Sequence, residues 1–108
     1  MPYYLVQLAY TPEAWANMVK NPQDRFGIVR PAVEKLGGKI ESAWMAFGEY
    51  DAVVIVQMPD NTAAAAFGMA VAAGGAVKSY VTTPLLTIEE GVAAMKQAGT
   101  TGYRPPGG

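Results

Sequence analysis

The stretch Ala52-Val53-Val54-Ile55-Val56-Gln57-Met58 constrains the fold more than any other part of the chain, because it is short, β-branched and apolar at both odd and even positions. Strand side chains point alternately to the two faces of a sheet, so a strand with helices on one side and water on the other is apolar only at every second place. Here Ala52, Val54, Val56 and Met58 fill one face, while Val53 and Ile55 fill the other. Gly48-Glu49 turns the chain before this segment, and Pro59-Asp60 stops it. Such a strand belongs in the interior of a sheet covered on both sides.

Composition narrows what surrounds that sheet. A chain of 108 residues makes one domain with a core of its own. Its 16% charged residues fall short of the roughly 25% usual for a soluble domain, leaving little charge to solvate a free surface. The net charge is −1, and the eight Lys and Arg residues are scattered, which argues against nucleic acid as a partner. The chain has no Cys and no His. That removes disulfides, thiolate nucleophiles, imidazole bases and the usual zinc and haem ligands, so neither a metal nor a cofactor is expected. The longest uncharged run, Asn61 to Val77, is too rich in Ala and Gly for a membrane span, and a cytoplasmic protein is expected.

The order of elements follows from periodicity and punctuation. Tyr3 to Tyr10 reads as the first strand. Thr11-Pro12-Glu13 supplies an N-cap, a proline at the first helical position and an acid near the positive end of the dipole. That helix breaks at Asn21-Pro22, and a second carries Val29, Val33 and Leu36 to a Gly37-Gly38 cap. Lys39 to Phe47 reads as the second strand and Tyr50 to Met58 as the third, joined as an antiparallel hairpin. Asp60 or Asn61 caps an alanine-rich helix that runs through Ala73 to Gly74-Gly75. Val77 to Leu86 is the fourth strand, with Pro84 marking an edge. Thr87 to Glu90 forms a capping box, opening a short helix to about Gln97.

This is the β-α-β-β-α-β order of a ferredoxin-like α+β domain: a four-stranded antiparallel sheet with an additional C-terminal helix. Residues 1–98 form the domain, and 99–108 form a Gly- and Pro-rich tail. The first and third strands are central in that topology, and both are apolar on two faces. At about 25 cal/mol per Å2, leaving the second face wet forgoes many kcal/mol. A second copy packed sheet to sheet is the expected cover, since two-fold symmetry lets one patch serve both subunits. The alternative is that the terminal helix folds back over that face.

Several segments in order carry a family resemblance: Gly48-Glu49-Tyr50-Asp51 and Met58-Pro59-Asp60, with Asn21 to Arg25, Leu36-Gly37-Gly38-Lys39 and Gly75-Ala76-Val77-Lys78. Together they resemble the GYD domain family over roughly residues 3 to 90. The resemblance implies the dimeric α/β-barrel form of the ferredoxin-like fold and implies little about activity. The fourth strand, with Thr82-Thr83-Pro84, departs from the family's usual pattern.

Candidate chemistry is sparse. Glu49, Tyr50 and Asp51 offer two carboxylates and a phenol, as base and oxyanion donor in a pocket between helices and sheet, or as a turn in which Asp51 accepts backbone amides. Arg25 and Arg30 can clamp an anion or form a solvated helical face. The aromatics Tyr3, Tyr4, Tyr10, Trp15, Trp44 and Tyr80 can line an apolar pocket or anchor the core and an interface, and Met45, Met58 and Met69 read as gap fillers. Lys78 is either a ligand contact or an edge guard.

The leading expectation is a homo-oligomeric domain that binds a small ligand or another protein through Tyr3, Trp15, Arg25, Trp44, Tyr50 and Lys78, with no catalytic residue assigned. One alternative is a cofactor-independent enzyme, monooxygenase- or isomerase-like, acting on an aromatic or carbonyl substrate. Another is a structural assembly subunit whose Tyr103-Arg104-Pro105-Pro106 tail docks on a neighbour.

Overall fold

A computed structural model describes residues 1–107. The chain runs β1 (Tyr3–Tyr10), α1 (Pro12–Lys20), α2 (Arg25–Lys35), β2 (Lys39–Met45), β3 (Ala52–Gln57), α3 (Asn61–Ala73), β4 (Val77–Leu85) and α4 (Ile88–Ala98). The strands form one sheet in the order β2-β3-β1-β4 with every pair antiparallel, the ferredoxin-like arrangement. Both doubly apolar strands therefore lie in the middle. Opposed residues share a face, which sorts the side chains. Tyr4, Val6 and Leu8 lie opposite Val56, Val54 and Ala52, and all six are buried. Leu5 and Gln7 lie opposite Ile55 and Val53 on the other face, half-buried.

Helices α2 and α3 cover the first of these faces. Val33 of α2 and Ala64 and Phe67 of α3 join Val6, Val54, Val56 and Met58 in one buried cluster. Each helix is started by a side chain accepting an orphan amide: Thr11 for α1, Asp24 for α2 and Asp60 for α3. Helix α2 ends in a Schellman motif, with Gly38 N–H donating to the Val33 carbonyl, Gly37 N–H to that of Glu34, and Gly37 at φ 85°. Among the described residues, no helix covers the far face. Tyr3, Trp44 and Val81 are exposed there, Trp44 at 67%.

Four details correct the sequence reading. The β2–β3 connection is longer than a tight hairpin: β2 stops at Met45, and the Ala46 amide closes the loop on the Asp51 carbonyl. Asp51 stays outside β3, which begins at Ala52, although its amide still donates to Leu8 of β1. Met58 is a fully buried filler, but Met45 and Met69 are exposed, as their positions at the end of an edge strand and on the outer side of α3 dictate. Helix α4 does not fold back over the sheet, and none of its residues is buried.

Where α3 meets β4, the helix passes so close to Tyr80 that a Cβ at Gly68 would lie 3.0 Å from its ring. The Tyr80 hydroxyl is buried without a hydrogen-bond partner among the described residues. Burial pushes the phenol up to about 12, opposed by the neighbouring Thr82 hydroxyl. The neutral phenol is thus favoured by the folded state, so its contribution to stability is complete below about pH 10, the unfolded value. That contribution is lost as the pH rises towards about 12. Tyr80→Phe is expected to gain about 1 kcal/mol at pH 7 by removing an unpaired buried donor. It should also soften the loss of stability between pH 10 and 12, leaving the share due to Tyr10, whose phenol is raised as well. Urea unfolding at pH 7 and 11 measures both effects.

Candidate ligand-binding cleft

The two covering helices sit over opposite margins of the sheet, α2 against β2 and α3 against β4. Between them lies a cleft of about 480 Å3 whose floor is Val6, Leu8, Val54 and Val56 of the central strands. Its walls are Phe26 and Val29 of α2, Leu36 at the C-cap of that helix, and Phe67 and Val71 of α3. The space exists because Ala32, Ala66 and Ala70, which line its open sides, are too short to meet across the gap. The volume falls within the roughly 300–1,000 Å3 of small-molecule sites.

Three residues with polar side chains line the cleft: Tyr10, Arg25 and Lys35. Arg25 and Lys35 begin and end α2, about 15 Å apart along its axis, so they mark opposite ends of the cleft. Arg25 is half-buried, and its guanidinium donates to the Gln23 side chain at 3.4 Å. Among the described residues the one salt bridge is Lys39 with Glu41, away from Arg25. Burial raises the Tyr10 phenol; the Arg25 charge opposes this and the Asp51 charge adds to it. Tyr10 therefore stays a protonated donor at neutral pH.

Behind Tyr10 the end of the cleft is fixed by Asp51. Its Oδ2 accepts from the Tyr10 amide at 2.9 Å and from Trp15 Nε1 at 3.1 Å. The Trp15 indole then stands edge-on to the Tyr10 ring, with centroids 5.5 Å apart. Asp51 is thus an acceptor that joins β1, α1 and the β2–β3 loop. No carboxylate lines the cleft, and Glu49, Tyr50 and Asp51 all lie outside its walls.

The six sequence candidates do not converge. Arg25 lines the cleft, and Trp15 stands one ring behind it through Tyr10. Tyr3 lies on the far face, where its hydroxyl accepts from Gln57, which also donates to Glu41. Trp44, opposite Val53, lies on that same face. Tyr50 is in the loop, and Lys78 is exposed on β4. Arg30 is exposed and does not join Arg25 at the cleft. Sequence reasoning missed Phe26, Val29 and Val71 as cleft residues. The available signal was the alanine-rich α3, whose small inward side chains face β-branched strands and underfill the space between them.

An antiparallel β2-β3-β1-β4 sheet, with two helices parted over its central strands, defines this chain as a ferredoxin-like α+β domain with a cleft between its layers. The GYD domain profile matches residues 4–95, and the chain belongs to that family. No curated protein matches the sequence. Among solved structures it is similar to the crystal structure of FFRP-DM1, at 13% identity and a TM-score of 0.50, over 80% of this chain and 100% of that one. That likeness concerns the fold alone. No helix among the described residues is long and apolar enough to cross a membrane, and none of their His, Cys, Asp and Glu side chains cluster in threes that could hold a metal ion.

Proposed function

We propose that this protein is a cytoplasmic, homo-oligomeric small-molecule-binding domain. It holds an apolar ligand in the cleft between α2, α3 and the central strands, without a resident cofactor. The supporting observation is the cleft's composition, with hydrocarbon walls and floor and a protonated phenol beside a half-buried guanidinium at one end. An aromatic or alkyl body suits the walls, and one carbonyl or anionic group suits Tyr10 and Arg25. Of the sequence candidates, Arg25 is then the direct contact and Trp15 its support. Tyr3 and Trp44 belong to self-association, while Tyr50 and Lys78 serve the loop and the sheet edge.

The probe 1-anilinonaphthalene-8-sulfonate has the required rings and anion. Titrating it into the full chain should give one saturable site per chain. Ala66→Trp, which fills the cleft from α3, should weaken that site by at least about tenfold with the thermal midpoint little changed. The absence of a saturable site, or equal binding by the filled variant, counts against the proposal.

The far face of the sheet supports self-association. Leu5, Val53, Ile55 and Val81 around Gln7 give it a mostly apolar centre, and Tyr3, Gln57, Glu41 and Lys39 give it a polar end, the layout of an interface core and rim. Two copies meeting there bury each other's open sheet.

A further inference from the structure

Helix α4 is fully formed, yet none of its residues is buried. Thr87 and Glu90 cap it reciprocally, with the Glu90 amide donating to Thr87 Oγ1 at 3.0 Å and the Thr87 amide donating to Glu90 Oε1 at 2.9 Å. Yet isolated helices shorter than about 12–15 residues are marginal in water and depend on tertiary packing. Ile88, Val92 and Met95 recur at helical spacing and form one stripe, exposed by 86%, 43% and 73%. Glu90 and Gln97 occupy the opposite side, and Glu89 and Lys96 flank the stripe.

The dimensions of the molecule show how much surface is left open. The radius of gyration is 17.4 Å, against about 13 Å for a compact chain of this length. The exposed area is 7513 Å2, against about 5,800 Å2 for a folded monomer of 11.4 kDa. The excess of about 1,700 Å2 is roughly twice what each partner buries in an interface of ordinary size. The exposed residues 99–107 contribute to it, and so do two apolar surfaces: the far face of the sheet and the α4 stripe. They are continuous in the chain, because Leu85, opposite Tyr3 on the far face, is separated from the Thr87 cap by Leu86 alone.

We propose that α4 is an exchanged arm, whose Ile88, Val92 and Met95 stripe lies against a second copy of this chain. This rests on the self-association proposed above and extends it. Sheet pairing by itself leaves the stripe wet, whereas a two-fold pair lets each copy receive the arm that the other extends. A second copy is the occupant that covers both surfaces at once: the far face and the arm leave open more area than the roughly 800 Å2 per partner of an ordinary interface needs, and they adjoin in the chain.

The test compares the full chain with the double variant Val92→Glu, Met95→Glu, which replaces exposed residues by good helix formers. Sedimentation should show self-association weakened by at least about tenfold, while Gln97→Glu on the polar side leaves it unchanged. A photo-crosslinker attached through Met95→Cys, in a mixture of 14N- and 15N-labelled copies, should join light chains to heavy ones. An associated wild type that the double variant matches, or crosslinks confined to single chains, overturns the exchanged arm and leaves sheet pairing intact. A monomeric wild type removes both.

Discussion

Ile55→Asp is expected to leave the chain folded and monomeric at concentrations where the wild type is associated. Ile55 lies on β3 between Leu5 of β1 and Ser42 of β2, on the face away from the helices. It is half-exposed in the single chain, so a carboxylate there remains hydrated and folding loses only a strand-propensity difference of about 1 kcal/mol. Between two sheets the same carboxylate has no water and no cationic partner from Leu5, Val53 or Val81. Two-fold symmetry places one in each copy, and an uncompensated buried charge costs about 3–5 kcal/mol. The dissociation constant should therefore rise at least about a thousand-fold. Sedimentation equilibrium measures the association and urea unfolding measures the fold. A variant that associates like the wild type would show that the far face is not the contact.

The largest effect on folding is expected at Gly38. A Cβ there would lie 2.5 Å from the Gln57 carbonyl oxygen and 2.5 Å from Met58 Sδ, with Val33 Cγ1 at 3.2 Å. The first of these is backbone, and the second belongs to a fully buried side chain, so neither can move away cheaply. Gly38 also donates the bond that closes α2 onto the Val33 carbonyl. Gly38→Ala should cost about 3 kcal/mol, the upper end of ordinary overpacking, seen as a lower urea midpoint with an unchanged slope. An unchanged midpoint would show that the end of α2 can shift away from β3 without loss.

Both predictions rest on features that the sequence shows unevenly. The two-faced β3 segment, the Thr11, Asp60 and Thr87 caps and the paired glycines after α2 act locally, and together they place every element of the sheet and its helices. The long β2–β3 loop was hidden because its length depends on Asp51 engaging β1 and Trp15, residues remote in sequence. The cleft was hidden for a related reason. Ala32, Ala66 and Ala70 read as helix formers, and only the separation of α2 from α3 over the sheet turns their small volume into a space. Arg25 was found because a guanidinium near a helix break is conspicuous in any sequence. Tyr10 stands among the aromatics able to line a pocket but not among the six leading contacts, because it closes a strand and resembles any other β-forming aromatic. The capping box of α4 was plain, but nothing local in it shows that the helix points away from its own body.

The floor of the cleft and the far face are the two sides of the same strands: Val54 faces the ligand space, and Val53 and Ile55, its immediate neighbours, face away from it. Under the proposed function, one backbone layer is a shared wall between an occupant of the cleft and a second copy of the chain. Thermodynamic linkage then imposes symmetry on the two events. Whatever factor ligand binding applies to association, association applies to ligand affinity, so the coupling can be measured from either side.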